Sequence, residues 1–334
     1  MADVARLAEV GKQTVSNALN NPELLRPETL ARVNAAIKEL GYRPHTAARS
    51  LRRRESRTLG YALERSVAGR SNAVYDRFLH ALAAAAGYRL MVFSVASREE
   101  EIERYDELLR ERAVDAFVLD RTSEDDPRHR WLHDRSVPFV AFGRSWSGDD
   151  FGDWVDVDGA VGIEVATEHL IAAGHRRIGL LGWPVGSGTG DDRTAGWRRT
   201  MERHGLPVRG LHETALPEAA RQAADTLLSR DVTAIVAVSD ALALSAYDAL
   251  RDRGLRPGAD VAVTGFDNSP FTELLDPALT SVEQPLEQVA EECVRMLRAR
   301  IADPLLPYEH RLLPPGLVVR ASSGPTGVDA PAST

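Results

Sequence analysis

The chain has one cysteine and two lysines in 334 residues. A lone cysteine, Cys293, excludes a disulfide framework and a cysteine metal site. Its helical spacing from Val289 and Met296 in "VAEECVRMLRARI" marks it as a small packed hydrophobe. Both lysines, Lys12 and Lys38, lie near the start, so the remaining chain has none for a phosphate loop, a Schiff base or a kinase site. No apolar run approaches the roughly 18 to 20 residues of a membrane-spanning helix, and "MADVARLAEV" does not begin like a secretion signal. The expectation is a protein of the cytoplasm, at the nucleoid, with no membrane partner. At 43% hydrophobic residues, a chain of this length is expected to form two or three domains.

What is present is uneven in charge. Residues 1–57 hold eleven Lys or Arg against six Asp or Glu, so they carry +5 while the remaining 277 residues carry −13. A basic head on an acidic body points to a polyanionic partner for the head alone.

In the head, "DVARLAEV" puts Val4, Leu7 and Ala8 on one helical face. "KQTVSNALNN" then turns Val15, Ala18 and Leu19 inward and leaves Lys12, Gln13, Ser16 and Asn17 outside, with Thr14 beside them. Only Glu9 to Gly11 separate the two, which makes a tight helix-turn-helix. A third helix starts at Pro27, carries Leu30, Val33, Ile37 and Leu40 on one stripe, and stops at Gly41. Gln and Asn amides match adenine in the major groove, and Lys reaches guanine or phosphate. The turn, the third helix and the positive charge together favour DNA reading over a merely solvated face. In "HTAARSLRRR", Ala47, Ala48 and Leu51 beside three arginines suit insertion into a minor groove with kinking; a disordered basic linker is the competing reading.

From Thr58 the pattern alternates. "TLGYAL", "RLMVFSV", "AFVLD" and "PFVAFG" are strand candidates, followed by a second series, "RIGLLG", "AIVAVS" and "VAVTGFD". Short apolar strands between amphipathic helices imply two α/β lobes with doubly wound parallel sheets. Ligands of such sheets bind at the carboxyl ends of strands, where "WPVGSGTGDDR", "SDA" and "GFDNS" fall.

The head segments "DVARLAEVGKQTVSNALNN" and "RPETLARVNAAIKELGYRPHTAARSL" resemble the DNA-binding head and hinge helix of the LacI/GalR family of bacterial transcription regulators. The body is similar to that family's effector core, itself like periplasmic sugar-binding proteins, along "WVDVDGAVGIEVATEHLIAAGHRRIGLLG", "DRTAGWRRTMERHGL" and "AIVAVSDALALSAYDALRDRGLRPGADVAVTGFDNSP". The resemblance implies a helix-turn-helix domain at 1–44, a hinge helix at 45–57 and an effector core at 58–325. Lobe 1 would span about 58–155 and 286–313, lobe 2 about 156–283 and 314–325, with a disordered tail at 326–334. It implies base reading by Lys12, Gln13 and Asn17 and a wedge at Leu51. Arg193 and Asp267 match effector contacts, with Arg144, Ser239 with Asp240, and Tyr75 as further candidates; Trp183, Trp146 and Trp154 could each stack on a sugar face, with a buried core role as the alternative for any one of them. Tyr75 is expected in the loop after the first strand, and the competing role of Asp240 is to cap the helix that follows. Glu9 stands where the family usually has a turn glycine, Gly11 where it has a capping Ser, Arg26 where Ser is common and Asn17 where Arg is frequent.

The implied protein is a homodimer on a palindromic operator, responsive to a small molecule, most simply a repressor of carbohydrate genes released by a sugar. The alternatives are a metabolite corepressor such as a purine, or a cytoplasmic sugar-binding protein without DNA function. No cofactor is implied. "GSGTG" at 186–190 lacks the third glycine of a dinucleotide loop and is followed by Asp191 and Asp192, which repel a pyrophosphate. It is expected to be a flexible cleft loop. His129 and His133 are four apart, without a third ligand, and are expected on a solvated helix face. "DVDG" at 156–159 lacks the rest of a calcium loop, and no G-x-S-x-G elbow occurs; no enzyme is expected.

Overall fold

A computed structural model describes residues 1–42, 56–65, 73–148, 151–208, 211–213 and 217–324. They fall in two units, Met1–Arg57 and Thr58–Thr334. The expected hinge helix, with Ala48 and Leu51, and the tail at 326–334 lie outside the described residues.

The first unit holds α1 (Ala2–Leu7), α2 (Lys12–Asn20) and α3 (Pro27–Glu39). Val4, Ala5, Ala8, Val15, Ala18, Val33 and Ala36 form its core, with Leu19, Leu30 and Ile37 against it. Two leucines expected inside are out: Leu7 is 43% and Leu40 46% exposed. In α1 the inner stripe is set by Val4, Ala5 and Ala8, which leaves Leu7 to one side, and Leu40 lies past the last helical residue of α3. That helix begins with Pro27 and ends where Gly41, at φ +57, lets Tyr42 donate to the Ile37 carbonyl at 3.0 Å.

The turn after α1 uses the same device with a less suitable residue. The amide of Val10 donates to the Ala5 carbonyl at 2.9 Å and that of Glu9 to Arg6 at 3.2 Å, with Glu9 itself at φ +50. A side chain in this left-handed region costs about 1 kcal/mol or more. Glu9→Gly is therefore expected to stabilise the head by about 1 kcal/mol. Native-state hydrogen exchange of the α1 and α2 amides in the full chain measures it, and slower exchange is the expected result.

The second unit is two parallel α/β lobes. Lobe 1 contains β1 (Thr58–Glu64), α4 (Ala73–Ala85), β2 (Arg89–Val95), α5 (Arg98–Arg110), β3 (Ala116–Leu119), α6 (Pro127–Asp134), β4 (Phe139–Phe142) and β5 (Asp153–Val157). Lobe 2 follows with α7 (Gly159–Ala172), β6 (Ile178–Gly182), α8 (Thr189–Arg203), β7 (Leu211–Glu213), α9 (Pro217–Leu228), β8 (Ala234–Ala237), α10 (Asp240–Asp252), β9 (Ala262–Phe266) and β10 (Thr280–Glu283). The chain returns to lobe 1 for α11 (Leu286–Ala302) and β11 (His310–Leu313), then to lobe 2 for β12 (Gly316–Val318). The sheets run β11-β5-β4-β3-β1-β2 and β12-β10-β9-β8-β6-β7. All pairings are parallel except β12 against β10, where the chain re-enters lobe 2 in the opposite sense.

Alternation places the core on both sheet faces of lobe 1. Val118, Val140 and Phe142 face α4 and α11 together with Cys293, while Phe117, Leu119, Phe139 and Ala141 face α5 and α6. In lobe 2, α7 and α8 approach so closely that a Cβ on Gly196 would lie 2.3 Å from the Ala160 carbonyl oxygen. Because every strand of the two series runs the same way, their carboxyl ends gather at one edge of each sheet. The crossings after Val157, Glu283 and Leu313 join the lobes there.

Candidate functional site

On the head, α2 exposes Lys12 and Gln13 and half-buries Thr14 and Asn17. The Gln13 amide donates to Asn17 Oδ1 at 3.1 Å, so the two form one polar unit. Ser16, expected outside, is buried at 4%. It stands only about 60° around the helix from Leu19, at the edge of an inner arc that a small hydroxyl can share.

In the core, Arg193 projects from α8 and Asp267 follows β9. Arg193 donates from Nη1 to the Val238 carbonyl at 2.5 Å and sets Nη2 3.8 Å from Asp267 Oδ1. Its guanidinium carbon lies 3.6 Å from the Phe266 ring centre and 5.3 Å from that of Trp183. Its buried Nε finds no hydrogen-bond partner among the described residues. Burial lowers the Arg193 pKa, opposed chiefly by Asp267. Burial likewise raises the Asp267 carboxyl, against the pull of Arg193 and of Gln284, whose amide donates to Oδ1 at 2.7 Å. Asp267 and Asn268 sit at φ +111 and +45, strained conformations of the kind that concentrate at ligand sites.

Asp240 is the first residue of α10, but the cap is Ser239, whose Oγ accepts from the Leu242 amide. The Asp240 carboxylate instead accepts from the Ser269 amide at 2.6 Å and from Ser281 Oγ at 2.5 Å, so it pins the loop after β9 to β10. Burial and the nearby Asp267 push its pKa up to about 7.

Lobe 1 supplies the facing wall. Tyr75 belongs to the first turn of α4 rather than to a loop, because the helix already starts at Ala73. Its ring meets Phe142 edge-on at 6.4 Å and lies 5.9 Å from the Arg121 guanidinium carbon. Burial raises its phenol, with Asp120 and Asp267 adding to the rise. Arg77, also on α4, reaches the Asp267 carbonyl at 3.4 Å. At the end of β3, Asp120 accepts from Tyr61 at 2.5 Å and from Arg121 Nε at 2.7 Å. Arg144 donates to Asp156 and Asp192, one on each lobe.

Trp183 is half-buried against the lobe 2 core beside Arg193. Trp154 is elsewhere: it packs on the α5 and α6 side of lobe 1 and stacks on His310 at 4.7 Å. In the glycine loop, Asp191 Oδ2 accepts from the amides of Gly186 at 2.9 Å and Gly188 at 3.2 Å, which fills the nest a phosphate would need. Of the two histidines on α6, His133 is exposed but His129 is buried and stacked on Phe139. It was expected on a solvated face, but α6 turns Arg128 toward Glu101 of α5 and His129 onto Phe139 of β4.

Sequence reasoning passed over Tyr61, Arg77, Asp120, Arg121 and Gln284, and met Asp156 and Asp192 only within rejected calcium-loop and dinucleotide-loop patterns. Asp120 and Gln284 follow strands directly, as Asp267 does, so the strand-end rule reaches them; Arg77 has no such signal.

The described residues thus form a small helical head and a two-lobed parallel core with a polar cleft at its strand ends, the parts of a DNA-binding regulator with a periplasmic-binding-protein-like core. Residues 1–45 match the family "Bacterial regulatory proteins, lacI family", and residues 167–323 match "Periplasmic binding protein-like domain". The HTH-type transcriptional regulator CelR of Thermobifida fusca is 34% identical over 331 residues, 96% of each chain. A solved CelR–cellobiose complex has a TM-score of 0.72 at 31% identity, covering 96% of this chain and 98% of the other. A lac repressor dimer bound to operator and an anti-inducer has a TM-score of 0.81 at 26% identity, with the same coverage. The chain belongs to the LacI family and is a DNA-binding transcriptional regulator.

Proposed function

We propose that the protein is a dimeric repressor of carbohydrate-uptake or glycoside-degrading genes, released from a palindromic operator when a sugar enters the cleft. The observation that carries this is Arg193: a buried fork with an unpartnered Nε, 3.8 Å from Asp267 and beside Trp183. An arginine fork and a carboxylate together hold vicinal hydroxyls, and an aromatic face covers the apolar side of a pyranose. The cellobiose-bound relative supports a sugar, and the operator-bound dimer supports the assembly. In this reading Arg193, Asp267, Trp183 and Tyr75 touch the effector, and Asp240 holds the Asp267 loop in place. Lys12, Gln13 and Asn17 read bases, with Thr14 beside them and Ser16 supporting the helix from within. The dimer pairs two heads on half-sites about one helical turn apart, and the segment with Ala48 and Leu51 wedges the centre.

The test is fluorescence anisotropy on the DNA flanking the gene, at fixed salt, with and without a panel of mono- and oligosaccharides. Release of a specific complex by one sugar is the expected result. Specific binding that no sugar disturbs removes the carbohydrate assignment and makes a metabolite corepressor the working reading. In the same assay Leu51→Ala is expected to weaken operator binding about 10-fold or more, the scale of an unstacking wedge worth a few kcal/mol. Unchanged affinity with a folded core removes the wedge assignment.

A further inference from the structure

The loop after β4 ties the two lobes together. Arg144 donates from Nε to Asp156 Oδ2 at 2.8 Å and from Nη2 to Asp192 Oδ2 at 2.9 Å. Asp156 lies on β5 in lobe 1, and Asp192 in the first turn of α8 in lobe 2. Trp146 holds its ring centre 4.3 Å from the Arg144 guanidinium carbon. The indole also packs on Gly188 of lobe 2, where an added Cβ would fall 2.8 Å from the ring. The side chains of Arg144, Asp156 and Asp192 are only 20%, 14% and 19% exposed, so water screens the pairs less than it does an open surface ion pair.

Neither lobe needs the bond between them for its own hydrogen bonding. Asp192 Oδ2 also accepts from the Ala160 amide at 3.0 Å, inside lobe 2. Arg144 keeps Asp156 inside lobe 1. If the lobes part, the Arg144–Asp192 bond alone is lost from this triad, and both of its ends meet water. A contact present in only one of two arrangements, and required by neither lobe, biases the equilibrium between them.

We infer that Arg144 is a positioning residue: it latches the lobes together through Asp192 and so sets the population of the closed core. The consequence for regulation rests on the cleft being the effector site, because apparent effector affinity scales with the competent fraction. The latch itself is testable with no ligand at all.

Spin labels at Glu103→Cys on α5 and Arg198→Cys on α8, both exposed positions, report the distance between lobes in the full chain. Cys293 is buried and stays unlabelled. Pulsed dipolar spectroscopy is run on the labelled parent, on Arg144→Gln, on Asp192→Asn and on the double variant. Asp192→Asn keeps an oxygen for the Ala160 amide, so it removes the charge with little else changed. Each single variant is expected to raise the ratio of open to closed distances about 10-fold, within the usual range of coupling between states. The double variant should go no further than either single one. An unchanged distribution in either single variant overturns the latch. Opening in Arg144→Gln without a matching change in Asp192→Asn also overturns it, because the effect would then belong to Asp156 and the loop of lobe 1. A core that opens as expected but answers to no sugar sinks the carbohydrate reading and leaves the latch standing.

Discussion

Arg193→Ala is expected to raise the sugar concentration for half-release of operator about 100-fold, while operator affinity without sugar stays within about 2-fold. Hydrogen bonds to a charged group contribute about 1.5 to 3 kcal/mol each, and 1.4 kcal/mol is tenfold in affinity, so loss of one or two such bonds gives this scale. Alanine also leaves Asp267 buried without its counter-charge, which moves that carboxyl further toward its neutral form. Arg193→Lys is the informative control. It keeps a cation near Phe266 but loses the planar fork that holds Val238 and faces the cleft. A partial loss with Lys and a full loss with Ala is the expected order, read by anisotropy with the releasing sugar. A retained response in the alanine variant moves the effector site elsewhere.

The second large effect is on stability. Asp240 in the folded core keeps its proton up to about pH 7, whereas in an unfolded chain it releases it near pH 4. Between those values the folded state binds more protons, so this group's contribution falls as pH rises. Asp267, also raised by burial, acts in the same direction. His129, held near 4 by burial, together with His169 and His175, whose pKa values are also lowered, works the other way and adds stability as pH rises. The difference between the parent and Asp240→Asn isolates the carboxyl. An asparagine there can accept from the Ser269 amide and donate to the Ser281 hydroxyl, so the loop stays pinned. Urea unfolding of both proteins at about pH 5 and pH 8 is expected to show the variant gaining on the parent at the higher pH. Parallel pH profiles would mean that Asp240 is ionised in the folded core.

The seven strands that the sequence announces are those whose apolar residues run together. "RLMVFSV" is β2 from its first residue to its last, and "AFVLD" and "AIVAVS" contain β3 and β8, buried throughout. The sequence hid β10, written "TSVE", because its interior is polar: Thr280 and Ser281 are buried, and their hydroxyls serve Arg320 and Asp240. β11 and β12 escaped notice as outermost strands with half-exposed residues. β5, "DWVDV", alternates with acidic residues, one of them the Arg144 partner Asp156. In the cleft, Arg193 and Asp267 were accessible through family resemblance and strand-end position. The engagement of Arg144 was not, since its two carboxylates lie 12 and 48 residues away in sequence. Pairings of that range are set by how the lobes meet, and no local pattern encodes them.

The three crossings between lobes also order the events of synthesis. A chain emerging from the ribosome delivers β1 to β5 first, yet the face of that sheet against Val140 and Phe142 waits for Val289, Cys293 and Leu297. Its outer strand beside β5 arrives only with His310–Leu313. The lobe that is begun first is therefore completed after nearly all of its neighbour has emerged. Until then its uncovered apolar surface needs shelter from other nascent chains, and a stop codon anywhere before residue 313 leaves both lobes unfinished.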